Sequence, residues 1–344
     1  MSVPLGKIPP AVFERVIAPR LGAPRPEVLV GPAAGVDAAI VRVGAGRVLA
    51  VTTDPLSVIP AIGFEASARL ACHLLASDLW TTGIPPAYAA IDLNLPPSLG
   101  DSDLERYWEA MSAEWTRLGV AVVTGHTGRY PGCDYSIVGA GTLFGIGDES
   151  RTVGPAFVRP GDRIIVTKGP AIEAAALAAH LAPERLDEET GARARALLGQ
   201  VSVVEDCRAV LAVGVRDRGV SALHDATEGG VLGGLIELAH AAGHDLAVQR
   251  ALIPLLPEVA AACAAVGIDP WWAVSEGTLI ATVRPGFAAA ARAALAERGI
   301  AAADVGEVLS GAGRLWLTEP DGAVRPLDRP EPDPWWEAYT RLVR

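Results

Sequence analysis

Four aspartates stand where a chain could assemble oxygen ligands around a metal-bound anion. Asp37 in GVDAAI, Asp54 in TTDPLS and Asp78 in ASDLWTTG each follow a short strand-like or helical stretch and read as turn residues. Asp225 opens the stretch HDATEGGVLGGLIELAHAAG, again in a turn. Carboxylates brought together from separate turns are hard ligands of the type that Mg2+ takes alongside waters and phosphate oxygens. Each acid also has a plainer reading. Asp54 before Pro55 can simply start a turn, Asp78 can be a polar position on a helix face, and Asp225 with Glu228 three residues on can form a capping box.

The glycines after Asp225 are costly. Gly229, Gly230, Gly233 and Gly234 fall in what reads as the first two turns of a helix, where each gives up about 1 kcal/mol of helix propensity relative to alanine. A helix start offers unpaired N–H groups and a partial positive charge, and glycine lets a phosphate approach them closely. Gly229 and Gly230 suit that role, while Gly233 and Gly234 suit tight packing on a neighbour. Packing alone is the plainer account of all four. The spacing is neither a Walker A loop nor GxGxxG after a strand.

Three basic side chains join the candidates. Of 29 Lys and Arg residues only Lys7 and Lys168 are lysines. In an arginine-biased chain a retained lysine suits a place that needs a compact ammonium rather than a planar fork, and chance retention is the alternative. His126 in TGHTG can donate to phosphate or accept a proton near neutral pH, or end a strand without chemistry. His240 and His244 are four apart, but Gly243 breaks the helix there and no third ligand accompanies them, which argues against zinc.

The elements that must position these residues are legible in outline. Apolar runs of strand length alternate with helical stretches, the pattern of an α/β or α+β protein. RVLAVTTDPLSV (47–58) reads as a strand leaving into a polar turn, and FEASARLACHLLASDLWTTG (64–83) as a helix stopped by glycine. SDLERYWEAMSAEWTRLG (102–119) reads as a second helix, with a Ser102/Glu105 capping box and Gly119 as its stop. VAVVTGHTG and YSIVGAGTLFGIG read as strands. The polar, Gly/Pro-rich stretch 147–163 is the expected boundary, giving domains over 1–155 and 156–344. The second opens as strand, glycine turn and helix in IIVTKGPAIEAAALAAHLA. RPLDRPEPDPWWEAYTRLVR is expected to wrap the surface and dock Trp335 and Trp336; Trp271 and Trp272 suit an interdomain contact, a partner surface or simple packing.

Composition narrows the class. The 344 residues suit two domains, and 50% of them are hydrophobic with no uncharged run long enough to span a membrane. A net charge of −11 without a Lys/Arg cluster argues against a nucleic-acid partner. Cys72, Cys133, Cys207 and Cys263 are far apart and form no CxxC pair, against a disulfide framework or structural zinc. MSVPLGKIPP carries no basic segment followed by an apolar core, so no secretory signal is expected, and the cytoplasm is the expected location.

In order, GVDAAI, TTDPLS, ASDLWTTGIPP, VVTGHTG, GAGTLFGIG, PGDRIIVTKGPAIE, HDATEGGVLGGLIELA and SEGTLIATV resemble the aminoimidazole ribonucleotide (AIR) synthase, or PurM-like, superfamily. That superfamily includes thiamine-monophosphate kinase, selenophosphate synthetase and the hydrogenase maturation protein HypE, and the chain looks most like HypE and AIR-synthase-related proteins. The resemblance implies an N-terminal sheet domain that forms the interface of a homodimer, a C-terminal α/β domain, and ATP with Mg2+ in the cleft between them. Carried over position by position, Asp37, Asp54, Asp78 and Asp225 match acids that hold Mg2+ and the phosphates. Asp78, Thr127, Asp225, Thr227, Gly229 and Gly230 fall in nucleotide-contacting segments. Lys7 matches a lysine that closes over the nucleotide, Lys168 lies where relatives contact substrate or phosphate, and His126 replaces the acid of a usual GDT; these three are the expected catalytic residues.

The superfamily's common step moves the γ-phosphoryl group of ATP to an oxygen, often of an amide-like carbonyl, and the protein's part is alignment and charge neutralisation. The resemblance thus implies an ATP- and Mg2+-dependent enzyme acting on an amide or thiocarboxamide-like oxygen of an unidentified substrate in hydrogenase maturation. A small-molecule kinase resembling thiamine-monophosphate kinase, or a nucleotide-binding partner protein docking to a maturation complex without catalysis, are the alternatives. HypE modifies its own C-terminal cysteine. The sequence here ends EAYTRLVR, so that self-modification is not expected in the same form.

Overall fold

In the computed structural model, which describes residues 5–343, the chain divides into two units. One is built from Glu27–Val30 and Asp37–Thr152; the other takes the residues up to Pro26, Gly31–Val36 and the chain from Val153 onward. The changeover at 152/153 lies inside the polar stretch 147–163. The N-terminal helix α1 (Pro10–Val16), which the sequence groups with the first half, belongs to the second unit. It has no buried side chain, so no apolar face records where it goes.

The first unit carries β1 (Val28–Val30), β2 (Ala39–Gly44), β3 (Arg47–Leu56), α2 (Gly63–Trp80), β4 (Tyr88–Leu95), α3 (Asp101–Leu118), β5 (Ala121–Arg129) and β6 (Gly139–Asp148). Its six strands run in the order β1-β2-β3-β6-β4-β5, with only β4 and β5 parallel. Along β3, Val48, Ala50, Thr52 and Leu56 are buried while Arg47, Thr53 and Pro55 are exposed. That alternation is the strand's two-residue period with one face turned to a core. Leu75 and Leu79 of α2 and Met111 and Trp115 of α3 are buried within the same unit. The expected capping box of α3 does not form: Gly100 is the N-cap, Ser102 lies inside the helix, and no side chain caps it. Asp101 and Asp103 in the first turn complement the helix dipole instead. Gly119 stops the helix as expected, in the left-handed region at φ 75°.

The second unit carries β7 (Arg163–Thr167), α4 (Ile172–Leu181), α5 (Glu188–Ala196), α6 (Val204–Val213), β8 (Val220–Ala226), α7 (Gly230–Ala242) and β9 (Asp245–Gln249). After these come α8 (Pro257–Val266), β10 (Thr278–Val283), α9 (Ala288–Ala296), β11 (Ala302–Leu309), β12 (Leu315–Thr318), β13 (Val324–Leu327) and α10 (Trp335–Leu342). Seven strands run β13-β12-β9-β11-β7-β10-β8, and only β9 and β12 pair in parallel. Every residue of β8 and β10 is buried, Ser221, His224 and Asp225 of β8 and Thr278 and Thr282 of β10 included, so neither strand has a solvent-facing side. Val231, Leu232, Leu235 and Ile236 of α7 pack into one core with Ala222, Ile280 and Val305 from the sheet. Trp335 is buried as expected. No described helix is long and apolar enough to cross a membrane.

Candidate functional site

In the second unit, β10 lies between β7 and β8 and runs antiparallel to both. The turns leaving β7 and β8 therefore meet the turn entering β10 at one end of these strands. Ser275 ties the three together. Its N–H donates to the Thr227 carbonyl at 3.2 Å, its hydroxyl donates to the Ala273 carbonyl at 2.8 Å, and the Ala171 N–H donates to that hydroxyl at 2.6 Å. The Thr278 hydroxyl donates to the Gly169 carbonyl at 2.5 Å. Loops at the carboxyl ends of strands are where such folds bind ligands, and here a buried hydroxyl network holds them rigid.

Asp225 does not sit in a turn. It is the penultimate residue of β8, fully buried and opposite Leu279 of β10. The turn proper is Thr227–Gly229. Gly229 is the N-cap of α7 at φ 86° and Gly230 follows at φ 66°, so two consecutive left-handed residues bend the chain from strand into helix. The Asp225/Glu228 capping box is absent as well, because Glu228 Oε2 accepts the backbone N–H of Lys7 at 2.6 Å. The Lys7 ammonium donates to Thr227 Oγ1 at 2.6 Å. Lys7 thus reaches the turn from 220 residues away and sets a cation beside the start of a helix.

The four glycines have different reasons. A Cβ on Gly230 would lie 2.6 Å from the Trp271 carbonyl oxygen and one on Gly234 3.0 Å from Ile280 Cδ1, so both make room for close packing. On Gly229 and Gly233 a Cβ would meet nothing nearer than 3.6 Å. Gly230, read from the sequence as phosphate space, is required for close packing, whereas Gly233, read as packing, is buried with its neighbours only at ordinary contact distance.

Lys168 is occupied. Its backbone is left-handed at φ 58° and its side chain is 8% exposed. The ammonium donates to Asp206 Oδ2 at 2.9 Å and to the Ser202 carbonyl at 2.7 Å. It is a buried strut under the 168–171 turn, which also holds Ala171 at φ 54°.

In the first unit Thr52 gathers two of the predicted acids: its hydroxyl lies 3.0 Å from the Asp37 carbonyl and 2.9 Å from Asp78 Oδ2. Asp54 lies two residues further along β3, on the same face as Thr52. The donors offered there are all oxygens, the chemistry that suits Mg2+. His126 and Thr127 are elsewhere. They are exposed on β5, three strand spacings from β3, or about 14 Å across the ladder. His126 Nε2 hydrogen-bonds Tyr130 Oη at 2.6 Å.

One residue was not foreseen. Asp333, just before α10, accepts the Gly229 N–H on Oδ2 at 2.9 Å and the Trp335 N–H on Oδ1 at 2.8 Å. Burial, together with the nearby Glu228 charge, outweighs these bonds and pushes its carboxyl up to about 6. The only local signal was DPWW, an acid ahead of a helix.

Residues 35–146 match the family of the AIR synthase related protein, N-terminal domain, and residues 159–316 that of its C-terminal domain. Carbamoyl dehydratase HypE of Rhodobacter capsulatus is 32% identical over 298 residues, covering 82% of this chain and 82% of that protein. The chain belongs to the AIR synthase-related family. Among solved structures, that of E. coli HypE superposes with a TM-score of 0.71 at 26% identity over 83% of this chain and 87% of that one. A crystal structure of HypE in complex with ATP superposes with a TM-score of 0.64 at 23% identity, over 94% and 95%. The expected two-domain PurM/HypE-like fold is therefore the one this AIR synthase-related chain adopts.

Proposed function

We propose that the chain is an ATP- and Mg2+-dependent enzyme that transfers the γ-phosphoryl group of ATP to a carbonyl-type oxygen of an amide or thiocarboxamide-like substrate, turning that oxygen into a leaving group. The observation that carries this reading is the turn at 227–230: a left-handed Gly-Gly pair opens α7, and the Lys7 ammonium is 2.6 Å from Thr227 Oγ1 beside it. A helix start, with its partial positive charge, and a compact cation beside it suit a transferring phosphate. HypE relatives carrying the name carbamoyl dehydratase support an amide-like acceptor.

Asp37, Asp54, Asp78 and Asp225 are the acids that would hold Mg2+, which when bound neutralises charge on the β- and γ-phosphates. Thr227 would exchange its bond with Lys7 for one to a phosphate oxygen, and Lys7 would follow the developing charge on the transferred group. Lys168 holds the 168–171 turn in shape and makes no ligand contact in this scheme. His126, on an exposed edge strand with Val122 and Val123, belongs to a surface suited to a second copy of the chain; a maturation-complex partner would dock elsewhere.

Calorimetric titration of ATP with and without Mg2+, on the wild type and on Asp54→Asn, tests the reading. Binding that needs Mg2+ and weakens at least about tenfold in the variant, or about 1.4 kcal/mol, is expected, because Asp54→Asn removes a charged oxygen ligand. No binding with Mg2+ present by either the wild type or Asp333→Asn, whose neutral side chain holds the Gly229 N–H less strongly, would sink it.

A further inference from the structure

Two remote segments converge on the same turn. A Cβ on Gly6 would lie 2.4 Å from Trp336 Nε1 and 2.3 Å from Glu228 Oε2, and Gly6 itself is left-handed at φ 90°. Only glycine passes between Trp336 and Glu228 here, which delivers Lys7 to Thr227. From the other side, Pro330 lies beside Gly229 and Gly233, 3.9 Å from where either Cβ would be. Three residues on, Asp333 places a carboxylate oxygen 2.9 Å from the Gly229 nitrogen. Gly229 is the N-cap of a 13-residue helix, so its amide is among the groups an incoming anion would approach. It already holds an anion, and that anion belongs to the chain.

We propose that residues 330–336 form a latch on the Thr227–Gly230 turn, in which the Asp333 carboxylate takes the amide that a nucleotide phosphate needs, so that docking of this segment and binding of Mg·ATP exclude one another. The inference rests on the phosphate reading of the turn given above and adds its regulation. The groups facing Asp333 are consistent with a latch rather than a permanent strut. Glu228 is the charged neighbour that acts on it, and it repels; the attraction comes from the amides of Gly229, Trp335 and Val274. An anion of higher charge that brings Mg2+ can outcompete a single carboxylate so placed.

The latch predicts opposite responses in two measurements on the full chain. In hydrogen exchange, saturating Mg·ATP raises exchange in the segment 328–336 while lowering it across 226–233. In calorimetry, Asp333→Asn binds Mg·ATP about five- to tenfold more tightly than the wild type, because a neutral amide holds the Gly229 N–H less strongly than a carboxylate does. Binding by Asp333→Asn with none by the wild type would support the latch in its strongest form. Wild-type binding with unchanged affinity in the variant and unchanged exchange in 328–336 would overturn the latch and leave the phosphate reading standing. No binding by either protein would refute both. Should Asp333→Asn fail to fold, the wild-type exchange experiment decides alone.

Discussion

Replacing Gly230 and Gly233 by alanine, one at a time, separates two kinds of glycine in a single helix start. At Gly230 the backbone sits at φ 66°, a conformation that costs an L-residue about 1–2 kcal/mol. The new methyl would meet the Trp271 carbonyl oxygen at 2.6 Å, the Trp272 carbonyl carbon at 2.8 Å and the Ala273 oxygen at 2.9 Å. All three are backbone atoms that cannot swing aside, and overpacking of this sort costs about 1–3 kcal/mol. Alanine's better helix propensity returns at most about 1 kcal/mol. The net loss is about 1–4 kcal/mol. At Gly233 the nearest atoms are Glu228 O at 3.7 Å and Pro330 Cβ at 3.9 Å, ordinary contact distances, so Gly233→Ala should be neutral or stabilising by up to about 1 kcal/mol. Urea unfolding followed by circular dichroism reads both as midpoint shifts of opposite sign. If the two variants agreed within about 0.5 kcal/mol, the scale of an ordinary surface change, the assignment of Gly230 to packing would be wrong.

Lys168→Met should cost about 3–5 kcal/mol, because it leaves the Asp206 carboxylate buried without its cation, and Lys168→Met/Asp206→Asn should recover a large part of that in the same urea assay. A loss under about 1 kcal/mol, as for an exposed pair, would contradict the strut. His73, buried in α2 with its Nε2 at 2.5 Å from Glu114 Oε1 and 2.9 Å from Arg117 Nη2, is held down to about 4 from the ordinary 6.5, by burial first and then by the Arg69 charge. Between those values the unfolded chain binds the proton and the folded chain does not, so this contribution to stability is complete above pH 6.5 and declines as pH falls towards 4, by about 3 kcal/mol in all. The slope should flatten in His73→Gln; an equally steep slope in that variant would assign the effect to other groups.

Most local features were legible because their signals are local. Gly119 announced the end of α3 by the residue type a left-handed cap requires, and the apolar run of β3 announced a strand; β8 was not read as one, because Ser221, His224 and Asp225 interrupt its apolar residues. The Thr227–Gly230 turn was also visible, since four glycines in a helix start need a reason wherever they occur. The Ser102/Glu105 capping box failed because a matching pattern is compatible with either start point, and α3 began two residues earlier, with Gly100 as its N-cap.

The partners were not legible. Lys7 meets Thr227 across 220 residues, Asp333 meets Gly229 across 104, and Lys168 meets Asp206 across 38. Nothing in a residue's own neighbourhood distinguishes a lysine that will reach a ligand turn from one that will be buried against a carboxylate. Residue type and period determined the strands, the helices and the chemistry available at each turn. Which amide meets which anion was decided by tertiary structure, because it depends on where the folded backbone brings distant segments and on which charges burial forces to pair.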